Sequence, residues 1–240
     1  MKRRFEGLSD PGLIRTVNQD YYYTDPDERF FVVADGMGGH AGGQEASQIA
    51  TDAIRAYLEK HWDSDAGSDV LLKGAIAWAN DLIIDDQQTH PERADMGTTA
   101  VVVLFRQGKT WCAHVGDSRL YRLRDTKLEQ ITEDHTWVAR ALKAGDMTAD
   151  EARSHPWRHV LSQCLGRKEL HKIEIQELDV QTGDRLLLCS DGLTEEVPDE
   201  IIADKLYSGD DCFQIAEALV EAAKVNGGSD NITVVIICQG

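Results

Sequence analysis

Six runs of β-branched and other apolar residues, at 29–34, 99–105, 110–115, 119–123, 184–189 and 232–238, read as strands. They come in groups, several of them short and adjacent as antiparallel hairpins require. Helical spacing occupies separate blocks at 44–62, 70–88, 199–207 and 212–225. In the second block Leu72, Ala75, Ile76, Ala79 and Ile83 share one face, which is core and not a binding surface. Regular β-α-β-α alternation would point to a doubly wound parallel sheet; blocks of each type point to an α+β layered sandwich. The 240 residues fit one domain with a large core, with no repeat, low-complexity tract or interdomain linker.

One stretch, 134–172, differs in composition from its surroundings. It carries four of the eight histidines and seven basic residues against five acidic ones, in a chain whose net charge is −17. Thr148 followed by Glu151 reads as a capping box, so the stretch is expected to hold a helix of its own. The overall negative charge repels nucleic acid and anionic membrane, and neither is expected as a partner. No run approaches 18 apolar residues, and the basic start MKRRFEGLSDPG lacks an apolar region after it, so neither a membrane span nor a signal peptide is expected. Five cysteines, odd in number and without a C-x-x-C pair, fit reduced thiols in a cytoplasmic protein.

Most of the acidic charge is surface, but four aspartates sit beside Gly, Ser or Asn at the edges of apolar strands. These are Asp35 in VVADGMGG, Asp117 in AHVGDSR, Asp191 in LLLCSDGL and Asp230 in GGSDNITVV; a fifth, Asp20 in RTVNQDYYY, precedes a strand. For any one D-G pair a turn is the simpler reading. Burying a single carboxylate costs several kcal/mol without compensation, and gathering four or five requires a cation. All-oxygen ligation selects Mg²⁺ or Mn²⁺ over zinc or copper. Gly36 leaves room for a backbone carbonyl to turn toward a metal. Arg15 could grip a phosphate through two parallel hydrogen bonds, although local sequence alone reads more simply as a surface ion pair.

At these residues the sequence resembles the PPM family, the metal-dependent type 2C protein Ser/Thr phosphatases. RTVNQD, VVADGMGGHAGG, MGTTAVV, HVGDSRLYR, ITEDHT, LLLCSDGL and GGSDNITVV carry the likeness in order along nearly the whole chain. The resemblance implies a four-layer α-β-β-α sandwich, two antiparallel sheets flanked by helices with the metal site at one edge. It implies that Asp35 bridges two metals around a water or hydroxide, that the carbonyl of Gly36 completes one, and that Asp191 and Asp230 complete the other. Asp20 would act through metal-bound water, Asp117 with Asp191 would hold a third metal, and Arg15 would bind phosphate. The hydroxide would attack phosphorus directly, without a phosphoenzyme. Residues 134–172 would form a mobile flap through which a monomeric enzyme contacts phosphoserine and phosphothreonine proteins. The basic residues there, including Arg140, Arg153, Arg158 and Arg167, would draw in acidic phosphoprotein surfaces. The HTW and HPWRHVLSQCLG stretches are similar to small cyanobacterial members, one group of which acts on the phosphorylated PII signalling protein.

Animal members place a histidine directly after the D-G pair, a candidate donor to the leaving alkoxide, where this chain has Met37. His40 and His159 are the nearest substitutes, and metal-bound water could serve instead. Among rivals, Gly36 to Ala41 fits a G-x-G-x-x-G/A dinucleotide fingerprint but lacks a second strand ending in an acid. A cysteine-phosphatase loop would need arginine where Ser118 stands, and Val103 breaks a phosphate loop ahead of Lys109. A non-catalytic binding module would be expected to lack a ligand, and none is missing.

Overall fold

The computed structural model describes residues 2–39, 42–170, 172–209 and 211–240. Its strands are β1 (Arg3–Asp10), β2 (Asp20–Thr24), β3 (Phe30–Met37), β4 (Gly97–Thr98), β5 (Ala100–Arg106), β6 (Lys109–Val115), β7 (Arg119–Arg124), β8 (Lys127–Gln130), β9 (Glu174–Leu178), β10 (Arg185–Cys189) and β11 (Ile232–Gln239). The α-helices are α1 (Gly42–His61), α2 (Ser68–Thr89), α3 (Trp137–Ala144), α4 (Ala149–Ser154), α5 (Asp191–Thr194), α6 (Asp199–Ser208) and α7 (Cys212–Val225). All strand pairs are antiparallel. One sheet runs β1-β11-β10-β7-β8 and the other β2-β3-β5-β6-β9, with β4 added beside β3.

Side-chain alternation along the strands builds the layers. In β3, Phe31 and Val33 meet Val101, Leu120, Leu188 and Val235 between the two sheets. Phe30 and Val32 face the other way, onto α1 and α2 residues such as Ile54, Leu58 and Ile76. On the second sheet Leu187, Val234 and Ile236 pack beneath Ile202 of α6 and Leu219 of α7. The order is helices, sheet, sheet, helices, as the α+β reading expects.

The six expected strands correspond to β3, β5, β6, β7, β10 and β11, all interior. Those absent from the expectation, β1, β2, β8 and β9, are the four sheet edges, together with the two-residue β4. The physical reason is visible in β8 and β9, KLEQ and EIQEL: an edge strand is largely wet, so its sequence need not be apolar. No helix among the described residues is long and apolar enough to cross a membrane.

Candidate metal centre

The aspartates converge because the strand ends do. Asp20 opens β2 and lies directly across from Asp35 of β3 in the antiparallel register. Asp117 occupies the turn between β6 and β7, Asp191 opens α5 two residues after β10, and Asp230 stands two residues before β11. Close backbone packing enforces the approach. A Cβ on Gly192 would fall 2.0 Å from the Asn231 carbonyl oxygen, so glycine there lets the start of α5 press against the start of β11. Gly36 is fixed likewise: a Cβ would lie 1.9 Å from the Gly43 carbonyl oxygen, where β3 meets α1.

Hydrogen bonds hold the cluster from behind. Thr99 Oγ1 accepts from the Asp35 N–H at 2.9 Å and lies 2.6 Å from Ser118 Oγ, while Thr98 Oγ1 donates to the Asp35 carbonyl at 2.8 Å. Asn231 Oδ1 accepts from the Gln19 N–H at 2.8 Å, and its Nδ2 donates to Pro11 and Val17, pinning the loop that carries Arg15 and Asp20. Ser190 Oγ donates to Asp20 Oδ2 at 2.6 Å.

The electrostatics are those of a site lacking positive charge. Burial, together with the charges of Asp191 and Asp230 and against the Ser190 and Thr233 hydroxyls, raises Asp20 to about 7. Asp35 is raised well above the ordinary carboxylate range by burial first, then by Asp20, Asp191 and Asp117. Asp117 is raised likewise by burial and by Asp191 and Asp134. Asp191 is raised by burial and Asp230, opposed by a hydrogen bond shared with Asp35. Asp20 Oδ1 is buried and receives no hydrogen bond from any described residue. An orphaned buried carboxylate oxygen beside two carboxyls in mutual contact fits hard divalent cations, which would satisfy these oxygens at once.

The sequence profile of the family described as protein phosphatase 2C matches residues 15–233, a span that holds every one of these aspartates. The chain belongs to that family. It is 39% identical over 235 residues to the serine/threonine protein phosphatase PstP of Mycobacterium tuberculosis, across 97% of this chain and 44% of that protein. It thus spans less than half the length of that curated relative. Over 240 residues it is 35% identical to the protein phosphatase PhpP of Streptococcus pneumoniae, across 96% of this chain and 95% of the relative. A crystal structure of the catalytic domain of a serine/threonine phosphatase PstP with two manganese ions superposes with a TM-score of 0.85 at 36% identity, covering 98% of this chain and 97% of that one.

Around this phosphatase-family cluster, Arg15 reaches the site: its Nη2 lies 2.7 Å from Asp230 Oδ2, with half of the side chain exposed. His159 approaches from the flap segment, its Nδ1 2.5 Å from Glu195 Oε1. The ligand atoms of His159, Glu195 and Asp191 lie within 4.8 Å of one another. His40 lies outside the described residues.

The segment 134–172 is tied down at its base. Arg119 donates to Asp134 through Nε at 2.9 Å and Nη2 at 2.7 Å, the Gly116 N–H donates to His135 Nδ1, and Leu165 bridges to Thr98. Helix α4 carries the expected capping box, with Thr148 and Glu151 exchanging hydrogen bonds. Arg167 is exposed, and its guanidinium donates to the carbonyls of Met96, Gly166 and Asp95. Arg153 lies outside the described side chains.

Two features of the site escaped sequence reasoning. Glu195, raised to about 7 by burial and by Asp191, stands four residues after Asp191, the spacing that stacks side chains on one helical face. Thr98 and Thr99 are fully buried hydroxyls at the head of an apolar strand, and a polar pair in that position was their signal.

Proposed function

We propose that the chain is a metal-dependent protein serine/threonine phosphatase, its 240 residues forming one catalytic domain with residues 134–172 as a flap. The carrying observation is the cluster of carboxylates converging at the strand ends on the buried Asp20, where burial and mutual repulsion hold Asp20 and Asp35 above the ordinary carboxylate range and divalent cations would offset that repulsion. Asp35, the Gly36 carbonyl, Asp191 and Asp230 would hold two Mn²⁺ or Mg²⁺ ions, Asp20 would support them from the second layer, and Asp117 with Asp191 would take a third. When bound, the cations supply Lewis acidity, lowering the pKa of water and offsetting charge on the phosphoryl oxygens.

The chain's own groups do the rest. Ser190 fixes the orientation of Asp20, and Thr99 fixes the backbone beneath Asp35. Arg15, already at the site and half exposed, turns its guanidinium fork to the phosphate of the substrate. His159 and Glu195 hold a proton between Nδ1 and Oε1 at the flap side, where it can return to the leaving serine or threonine oxygen. The flap supplies the remaining contact with phosphoproteins. A phosphorylated PII-type signalling protein is a candidate substrate, supported by the HTW and HPWRHVLSQCLG stretches.

Mn²⁺-loaded protein is expected to hydrolyse p-nitrophenyl phosphate and a phosphothreonine peptide, with both activities abolished by EDTA and restored by Mn²⁺. Folded, Mn²⁺-loaded protein that turns over neither ester would overturn the proposal.

A further inference from the structure

A groove of about 860 Å³ opens from the metal centre and runs between the flap and the stretch joining α5 to α6, with Asp117 and Asp191 at its inner end. Its flap wall carries an apolar strip of Val138, Ala139, Leu142 and Ala152 beside Thr136 and Arg158. The opposite wall carries Glu195, which pairs with His159, and Glu196, Asp199 and Glu200; among the described residues of the lining Arg158 is the one arginine not bonded to a carboxylate. Arg119 also lines the groove, but its guanidinium is committed to Asp134 and to the Tyr121 hydroxyl.

Two of these carboxylates are set in place. Asp199 accepts from the Tyr121 hydroxyl at 3.1 Å, and Glu196 accepts from the Ser229 N–H and hydroxyl. Glu200, in the first turn of α6, is exposed and bonds to no described side chain.

A phosphoserine or phosphothreonine at the metal centre brings its polypeptide with it, and the adjoining residues must leave along the surface. This groove begins at the ligands and has the volume of sites that engulf a ligand of several residues' size. Bound cations would neutralise Asp117 and Asp191, and His159 pairs with Glu195, but Glu196, Asp199 and Glu200 keep their negative charge available to the substrate. We propose that the groove is the subsite for the chain flanking the phosphoresidue, and that it selects a flanking segment bearing lysine or arginine beside an apolar residue. The proposal rests on the phosphatase reading above and deepens it. It also reverses the charge preference that the basic composition of residues 134–172 suggests, because the Arg167 guanidinium is tied to backbone carbonyls while the acids between α5 and α6 and at the start of α6, distant in sequence, form the facing wall.

The test uses Mn²⁺-loaded protein and phosphothreonine peptides that differ only in carrying Lys, Ala or Glu at each of the three positions on either side, with p-nitrophenyl phosphate as the reference. At one or more positions kcat/KM is expected to favour Lys over Glu by about fivefold per charge, the preference shrinking with added salt. Glu200→Lys is expected to collapse the Lys-to-Glu ratio toward one. Equal turnover of all peptides, or a preference for Glu, overturns the subsite while p-nitrophenyl phosphate turnover leaves the phosphatase standing. Loss of turnover on every ester by folded protein overturns both.

Discussion

The metal centre and the flap lie side by side and are built on opposite plans. Strand ends from both sheets supply the centre, and buried hydroxyls anchor it, Thr99 at the Asp35 backbone and Ser190 at the Asp20 side chain. The flap has two short helices, α3 and α4, and leaves Trp137, Leu142, Trp157 and Val160 exposed. Trp137 stacks on His155 with centroids 4.9 Å apart and meets Trp157 edge-on at 5.3 Å, so the exposed part is a small aromatic cluster of its own. Its ties to the body gather at the base, around Asp134, His135 and Leu165, with His159 to Glu195 as a further contact near the carboxylate cluster. Elements with few buried contacts open at low free energy, whereas a centre locked into two sheets opens only when the fold does.

Substitutions should separate the two regions, and the largest effect belongs to the centre. Asp35→Asn is expected to lower Mn²⁺-dependent turnover on the order of 10³-fold. The same variant should melt no lower than wild type in EDTA, since it removes one member of a mutually repelling buried set. Near-normal turnover would remove Asp35 from the machinery. Arg15→Ala is expected to reduce kcat/KM for phosphate esters about 10- to 100-fold. Its melting should stay close to wild type, because an exposed ion pair adds only about 1 kcal/mol or less. A large fall in melting temperature would instead mark Arg15 as structural.

On the flap side, His159→Ala should cost about tenfold on phenyl phosphate and a phosphothreonine peptide, whose leaving oxygens need a proton. On p-nitrophenyl phosphate, whose leaving group departs as an anion, the change should stay within about twofold. Equal losses on all three would remove the proton-holding role, and a loss confined to the peptide would make His159 a recognition residue.

The smallest effect is one of pH, and it has opposite signs in the two regions. Asp20 rises to about 7 from 3.8, so in metal-free protein the folded state holds the extra proton between these values. Its contribution to stability is full below pH 3.8 and is lost as pH rises through 7. His135, at the flap base, falls from 6.5 to about 4 through burial and the neighbouring His114. Its contribution is full above pH 6.5 and is lost as pH falls toward 4. In urea titrations with EDTA, Asp20→Asn should gain on wild type at pH 7.5 relative to pH 5. His135→Gln should gain at pH 5 relative to pH 7.5. Parallel shifts in the two variants would break the contrast.

Much of this molecule was legible in the chain alone. Interior strands such as β3, β5 and β11 are largely buried on both faces and carry long apolar runs, so their sequences announce them. Aspartates beside small residues at the ends of such strands are costly anywhere except around a cation, which made Asp35, Asp191 and Asp230 readable as a group. The edge strands were silent because half of each faces water.

Only the tertiary structure decided what depends on residues far apart in sequence. It set Arg15 against Asp230 across 215 positions and Ser190 against Asp20 across 170. It also tied the Arg167 guanidinium to the carbonyls of Met96, Gly166 and Asp95 and placed Glu195, Glu196, Asp199 and Glu200 across from residues 134–172. Composition counts charges without directions, whereas a groove responds to the side chains that face it. The sequence therefore determined the sandwich and the kind of chemistry at its edge, and folding decided which charge a substrate meets beside it.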